Sequence, residues 1–313
     1  MNHGNDLPQP AIRLKTRQMY LLLALDRMRN MHQAAAACNM SQPAASKMLK
    51  DIEDLYGVPM FERLPRGLRP TLYGETLVAH VSMALANLSQ GQDSVATLKA
   101  GLSGQVRLGA IITPCLTLVP QAIARTKEQA PRLCIGIEID TSNLLVERLK
   151  RGELDLVIGR ILEQNDESSL AYEDLSEEAD CVVARVNHPL LARGDIGLED
   201  LAAAPWILSS PGTILRHQFD MVFRRAGISA PVNVVETTAV PVITSLLQQT
   251  DFLHLMPVDV ASYYAQFGEL AVLPVTLPFK MSSFGIITRR SALLSPGASM
   301  FLRQLQAVAA GIY

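Results

Sequence analysis

Along residues 12–72 the apolar positions recur at helical rather than strand spacing. In LKTRQMYLLLALDRM the residues Leu14, Leu21, Leu22 and Leu25 fall on one side of a helix. HQAAAAC reads as a short alanine-rich helix ended by Asn39, a residue that tolerates left-handed backbone. In SQPAASKMLKDIEDLYG, Ser41 is a good N-cap and Pro43 falls in the first turn, where a missing backbone N–H costs nothing. Ala45, Met48, Ile52 and Leu55 repeat at i, i+3, i+7 and i+10 and are expected to face a core, and Gly57 stops the helix. Ser41, Gln42, Pro43, Ser46, Lys47 and Lys50 are left on the polar side.

FERLPRGLRPT then offers a turn at Pro65 and Gly67 flanked by Arg63, Arg66 and Arg69, the form of a basic hairpin. A helix N-terminus with small polar donors and nearby arginines suits phosphates and base edges. On this pattern alone, an ordinary solvated surface remains the alternative.

Residues 73–100 read as one helix without proline. Leu77, Val81, Ala84, Leu88, Gly91, Val95 and Leu98 alternate spacings of four and three, a heptad seam. The strict period favours pairing with a second chain over a single amphipathic helix lying on its own domain. Gly101 and Gly104 mark a hinge.

From residue 105 the pattern changes. VRLGAII, LCIGIEI and LDLVIGR are short apolar strands alternating with helical LTLVPQAIARTKEQAP and NLLVERLKRG, which predicts a mostly parallel α/β sheet. A second series (CVVAR, PWILS, VNVVET, FLHLMP) follows, and the chain returns through FGIITRR to a closing helix. Two α/β lobes are expected, joined by crossings near 160–180 and 268–280.

Composition refines this picture. The chain has 313 residues, 49% hydrophobic and 19% charged, enough for two or three cored domains. Its net charge of −2 hides a polarity: residues 1–72 carry ten Lys/Arg against six Asp/Glu, the remainder eighteen against twenty-four. Cys38, Cys115, Cys134 and Cys181 form no CxxC pair and read as buried small hydrophobes, with a redox-sensing pair as the alternative. MNHGNDLPQP lacks the form of a signal peptide, and the apolar stretch 108–124 is broken by Pro114 and Pro120. A soluble, cytoplasmic protein without membrane partners is expected. The six histidines lack metal-ligand spacing, and GxSxG, HExxH, P-loop and Rossmann fingerprints are absent from the sequence. His254 reads as a packed strand histidine and Asp155 as structural.

AAAACNMSQPAASKMLKDIEDLYGVPMFERLPRGLRPTLYGE resembles the N-terminal winged helix-turn-helix of the LysR-type transcriptional regulators. The resemblance rests on Ala34-Ala35, Ser41-Gln42-Pro43-Ala44, Ser46, Glu53, Gly57 to Phe61, Arg63, Thr71 and Gly74. It implies a winged helix-turn-helix over 12–72 after a disordered extension (1–11), and a linker and dimerisation helix over 73–103. A two-lobed α/β effector domain of the periplasmic-binding-protein type then covers 104–313. Lobe I is expected at about 104–170 and 275–313, lobe II at about 171–274. The expected function is sequence-specific, effector-modulated transcription regulation, with no enzymatic activity, no metal and no cofactor. Expected partners are double-stranded promoter DNA, further copies of the chain as a dimer or tetramer, a small-molecule effector and RNA polymerase.

The resemblance implies that Ser41 to Lys50 enter a major groove. Gln42 and Pro43 approach base edges, and Ser41, Ser46, Lys47 and Lys50 meet phosphates or bases. Arg66 and Arg69 sit on the wing. Asn30 and His32 depart from the small residues usual there, and His32 can stand in as a phosphate donor. Leu77, Val81, Ala84, Leu88, Val95 and Leu98 are the expected dimerisation positions.

In that family the effector binds between the lobes. Here strand ends carry Thr113, Thr141, Ser142, Ser209, Ser210, Thr213 and Thr237 with Thr238. Each alone reads as a helix cap; together they outline a polar cleft. Arg216, one turn into its helix, can pair with a carboxylate or sulfonate effector, or make a surface ion pair instead. A solute-binding component of transport and an enzyme on the same scaffold are the competing classes.

Overall fold

The structure, a computed structural model, describes residues 14–65, 67–100, 104–161, 169–193, 195–290 and 293–313. The expected extension at 1–11, Arg66 and the side chain of Leu98 lie outside the described residues. The chain divides into two compact units, Met1–Gln92 with Lys150–Glu153, and Asp93–Leu149 with Leu154–Tyr313.

The first unit packs α1 (Thr16–Met28), α2 (Met31–Ala37) and α3 (Gln42–Tyr56) around Leu21, Leu25, Ala35, Ala45, Leu49 and Ile52. Asn39 takes the expected left-handed backbone (φ 51°) between α2 and α3, and Gly57 (φ 70°) closes α3. The buried stripe of α3 corrects the expectation: Leu49 is buried, Met48 half-buried and Leu55 exposed. At 3.6 residues per turn Leu55 stands roughly 80° round from Ala45, whereas Leu49 and Ile52 stand within roughly 40°.

A hairpin of β1 (Phe61–Leu64) and β2 (Gly67–Pro70) follows, with Glu62 opposite Arg69. Thr71 ties it to α4 (Leu72–Ala100): its hydroxyl donates to the Pro59 carbonyl (2.7 Å) and accepts from the Gly74 N–H (3.1 Å). Gly74 is a packing requirement, because a Cβ there would stand 2.0 Å from the Met60 carbonyl oxygen. The Glu53 carboxylate accepts from the Met60 N–H at 2.9 Å. These interactions fix where α4 leaves the hairpin.

The heptad positions of α4 divide. Val81 is buried in this unit's own core and Leu77 packs partly against it, so both serve the amphipathic role rather than an open seam. Ala84, Leu88, Gly91 and Val95 are exposed.

The second unit holds two five-stranded sheets, and both are mixed rather than mostly parallel. The first orders β4 (Leu133–Ile139), β3 (Gly104–Ala110), β5 (Leu156–Gly159), β12 (Phe284–Arg289) and β6 (Leu170–Ser176). The second orders β9 (Val234–Glu236), β8 (Trp206–Leu208), β10 (Leu253–Pro257), β7 (Asp180–Ala184) and β11 (Ala271–Val272). In each, three parallel strands in the order second-first-third meet one antiparallel crossing strand, so one plan is used twice. β6 pairs with β12 through Ser176, so the first crossing lies at 177–179, later than the expected lobe boundary near 170.

Helices α5 (Leu118–Gln129) and α11 (Pro296–Ala309) bury Leu118, Phe301 and Leu305 against one face of the first sheet. Helix α6 (Ser142–Lys150) buries Leu145 and Leu149 with Ile287 in a separate cluster. On the second sheet, with α7 (Leu198–Ala203) at its side, α8 (Ile214–Ala226) contributes Phe219 and Phe223 around Trp206. Helices α9 (Val240–Gln249) and α10 (Val258–Ala265) pack Leu247 and Val260 with Ile207. Cys181 is buried and Cys38 and Cys115 half-buried, but Cys134 is exposed, against expectation, because it lies on the edge strand β4.

Candidate nucleic-acid and effector sites

The N-terminal half of α3 keeps Ser41, Gln42, Pro43, Lys47 and Lys50 exposed and Ser46 half-buried. Ser41 caps the helix by accepting from the Ala44 N–H at 3.4 Å, and Pro43 takes a first-turn position without losing a bond. Neither Lys47 nor Lys50 forms an ion pair among the described residues, so both charges face outward. His32 is exposed on α2, whose N-cap is Asn30, accepting from the Gln33 N–H at 3.1 Å. Arg69 is held across the hairpin by Glu62, with its Nη2 at 2.7 Å and its Nε at 3.2 Å from one carboxylate oxygen. That pairing offsets the charge expected to face a phosphate.

In the second unit the carboxyl ends of β3, β4, β5, β8, β9 and β10 surround a cavity of about 200 Å³. Thr113, Thr141, Ser142, Ser209, Thr213, Arg216, Thr237 and Thr238 line it, as the sequence pattern outlines. Ser210 does not: its side chain is exposed and its carbonyl accepts from the Thr213 hydroxyl at 3.0 Å, a turn role. Thr213 caps α8, accepting from the Arg216 N–H, and its Oγ1 shares a hydrogen bond with Ser209 Oγ at 2.8 Å. Ser142 Oγ accepts from the Arg160 N–H at 3.0 Å. Arg216 is already committed: its Nε reaches Asp220 at 3.1 Å, and its Nη1 reaches Glu236 at 3.1 Å and the Ser209 carbonyl at 3.2 Å.

The sequence reading misses a charged cluster here. Arg160 follows the wholly buried β5 and forms an ion pair with Glu178, the two side chains only 5% and 6% exposed. Its Nε also donates to the Ser282 carbonyl at 2.8 Å, and its guanidinium lies 5.9 Å from the centre of the Phe284 ring. Burial pushes the Asp180 carboxyl up to about 7; Glu178 adds to the rise and Arg160 opposes it. His254 is packed in β10 as expected, and it also lines the cavity. Its Nδ1 lies 2.8 Å from the Ile207 carbonyl, and burial holds the imidazole down at about 4, so it is neutral and donates from Nδ1. An arginine just after an apolar strand and the acidic pair in EEAD at a crossing are the signals that mark this cluster.

Among the described residues no group of three or more His, Cys, Asp or Glu is arranged to hold a metal ion, and no helix is long and apolar enough to cross a membrane. Burial pushes the Cys115 and Cys181 thiols up to about 11, which disfavours the thiolate.

Residues 16–75 match the profile of the bacterial regulatory helix-turn-helix proteins of the lysR family, and residues 99–310 match the LysR substrate binding domain. The chain belongs to the LysR family. It is 36% identical over 296 residues to the HTH-type transcriptional regulator GbpR of Azospirillum brasilense, covering 94% of this chain and 86% of that one. To the HTH-type transcriptional regulator GalR of Pseudomonas putida it is 31% identical over 295 residues, covering 94% and 74%. A full-length OxyR variant from Pseudomonas aeruginosa superposes with a TM-score of 0.56 at 26% identity, covering 96% of this chain and 95% of that one. Full-length CbnR in complex with its target DNA shares the fold, with a TM-score of 0.60 at 19% identity, covering 94% and 100%. This LysR-family chain is a DNA-binding transcriptional regulator with an effector-binding domain, which sets aside the transport reading.

Proposed function

We propose that this LysR regulator reads a promoter through the exposed N-terminal half of α3 and takes its signal from a small molecule in the cavity between its two sheets. The observation that carries the DNA half is the division of α3: Ala45, Leu49 and Ile52 are buried while Gln42, Lys47 and Lys50 face outward. Gln42 and Pro43 meet base edges, and Ser41, Ser46, Lys47, Lys50 and His32 meet phosphates or bases. Arg69 adds to the footprint from the wing only when its carboxylate partner Glu62 releases it.

Leu88 and Val95, 63% and 66% exposed, are the apolar α4 positions that pair with a second copy, giving dimers that assemble on DNA as a tetramer. The likeness to CbnR bound to its target DNA supports the reading of the head. The protein acts in the cytoplasm, contacts RNA polymerase from the promoter, and works without catalysis or a resident cofactor. An effector shifts the assembly by binding one arrangement of the lobes more tightly than the other. The deciding experiment is a gel shift of the full chain on duplex DNA from upstream of its own coding sequence, against a scrambled duplex. Preferential retardation of the upstream duplex supports the reading; equal retardation of both rejects it.

A further inference from the structure

Five buried side-chain oxygens lack a hydrogen-bond partner among the described residues: Thr113 Oγ1, Thr141 Oγ1, Asn143 Oδ1, Glu178 Oε1 and Asp180 Oδ2. All five residues line the same cavity. Buried polar atoms are seldom left unpaired, so their convergence on one space describes what belongs there. Carboxylate oxygens accept, hydroxyls accept or donate, and the Asn143 amide can present either end. The space therefore asks for groups that both donate and accept.

An anionic ligand does not meet that demand. The two lining arginines are engaged, Arg160 with Glu178, and Arg216 with Asp220 and Glu236. Asp140 stands in the same wall, so an incoming carboxylate or sulfonate meets cations that are already neutralised and a further carboxylate. Arg216 takes the ion-pairing role that the sequence pattern raises as its alternative. A lone ammonium fits the carboxylates but not the rest. The unpaired oxygens sit on three segments, the turn after β3, the start of α6 and the crossing with the first residue of β7, and one point donor cannot serve all three. A ligand with hydroxyls around its perimeter can. Each hydroxyl can donate and accept at once, and a bond donated to the ionised Glu178 is charge-assisted and so among the stronger ones. The carbon skeleton then lies against Ile111, Ile139, Leu208 and Phe219. A cavity of about 200 Å³ is below the roughly 300–1,000 Å³ of sites for drug-sized ligands, so the occupant is small.

We propose that the effector of this regulator is a small, uncharged polyhydroxylated molecule, a monosaccharide or an alditol, held by Thr113, Thr141, Asn143, Glu178 and Asp180. The proposal rests on the effector-binding reading of the cavity. Its test is thermal unfolding and titration calorimetry of the full chain with D-galactose, L-arabinose, D-xylose, xylitol and myo-inositol. Benzoate, 3,4-dihydroxybenzoate and putrescine serve as anionic and cationic comparators.

A saturable rise in melting temperature with at least one polyol, weakened tenfold or more by both Thr141→Val and Asp180→Asn, is the expected result. Asp180→Asn keeps the shape of the side chain, and circular dichroism confirms the fold of each variant. Stabilisation by an anion or by putrescine alone overturns the proposal, and so does the absence of stabilisation by every polyol. Binding that both variants leave unchanged overturns it as well. The gel shift on upstream DNA is scored separately without ligand, so loss of DNA preference with retained polyol binding rejects the promoter reading and leaves the ligand class standing.

Discussion

Arg160 and Glu178 form an ion pair in the wall of the cavity, linking the carboxyl end of β5 to the crossing segment that leads into β7. Removing one partner leaves the other charge buried and uncompensated, which costs about 3–5 kcal/mol. Arg160→Met and Glu178→Gln are therefore each expected to lower the urea midpoint of the effector-binding unit substantially. Arg160→Met with Glu178→Gln is expected to recover much of the loss, because neither charge remains. A double variant as unstable as the sum of the singles contradicts the pairing.

On DNA, Gln42 and Lys50 are expected to behave differently although both are exposed on α3. A lysine that neutralises a phosphate adds affinity to every duplex and steepens the salt dependence. Lys50→Ala should weaken upstream and scrambled duplexes alike and reduce the slope of log K against log salt by about one. Gln42→Ala should lose about 1–3 kcal/mol on the upstream duplex only. Equal losses on both duplexes for Gln42→Ala remove it from base readout.

The dimer seam is tested beyond the part of α4 that packs on its own head. Leu77 and Val81 belong partly or wholly to that core, so charges there confound folding with pairing. Leu88→Asp with Val95→Asp places charges at exposed positions instead. Sedimentation velocity should show smaller species, with unchanged helix content and weakened DNA binding. Wild-type assembly in this variant locates the interface elsewhere.

The sequence made the head legible because its signals are local. Ser41, Pro43, Asn39 and Gly57 each act on their own turn of backbone, and the structure finds each in that role. Leu55 fits the spacing template but not the core, because the template tolerates angular drift that a packed core does not. The strand-end hydroxyls were legible for the same reason as the caps. Arg160, Glu178 and Asp180 were not, since their meaning depends on the two crossings bringing 160, 178 and 282 together across the chain. The edge strand β6 gives no strand signal in the sequence because Glu173 and Asp174 interrupt its apolar pattern. Several motif residues that carry the family resemblance, notably Glu53, Thr71 and Gly74, shape the head through contacts within it.

Gly74→Ala is accordingly expected to destabilise the head, because the added Cβ would meet the Met60 carbonyl oxygen at 2.0 Å and backbone must shift. The cost should be of the order of 1–3 kcal/mol, as for other overpacked sites. Thermal unfolding and DNA affinity should fall together. An unperturbed variant would show that the first turn of α4 moves freely.

Two cavity groups titrate with opposite sign. Asp180 rises from an ordinary 3.8 to about 7, chiefly by burial, with Glu178 adding and Arg160 opposing. Its folded form holds a proton that the unfolded chain releases, so Asp180 makes stability fall as pH rises from about 4 to about 7. His254 drops from 6.5 to about 4 through burial, opposed by its bond to the Ile207 carbonyl. There the unfolded chain takes up the proton first, so stability falls as pH drops through the same window. The two slopes oppose each other up to about 6.5, above which Asp180 acts alone. Asp180→Asn removes one slope, at most about 1.4 kcal/mol per pH unit. Relative to wild type, the variant's unfolding free energy is expected to climb steadily from pH 4 to pH 7 and then level off. Chemical denaturation at half-unit pH steps measures this difference directly, and a flat difference across the window would mean that the Asp180 carboxyl titrates at its ordinary value in the folded protein.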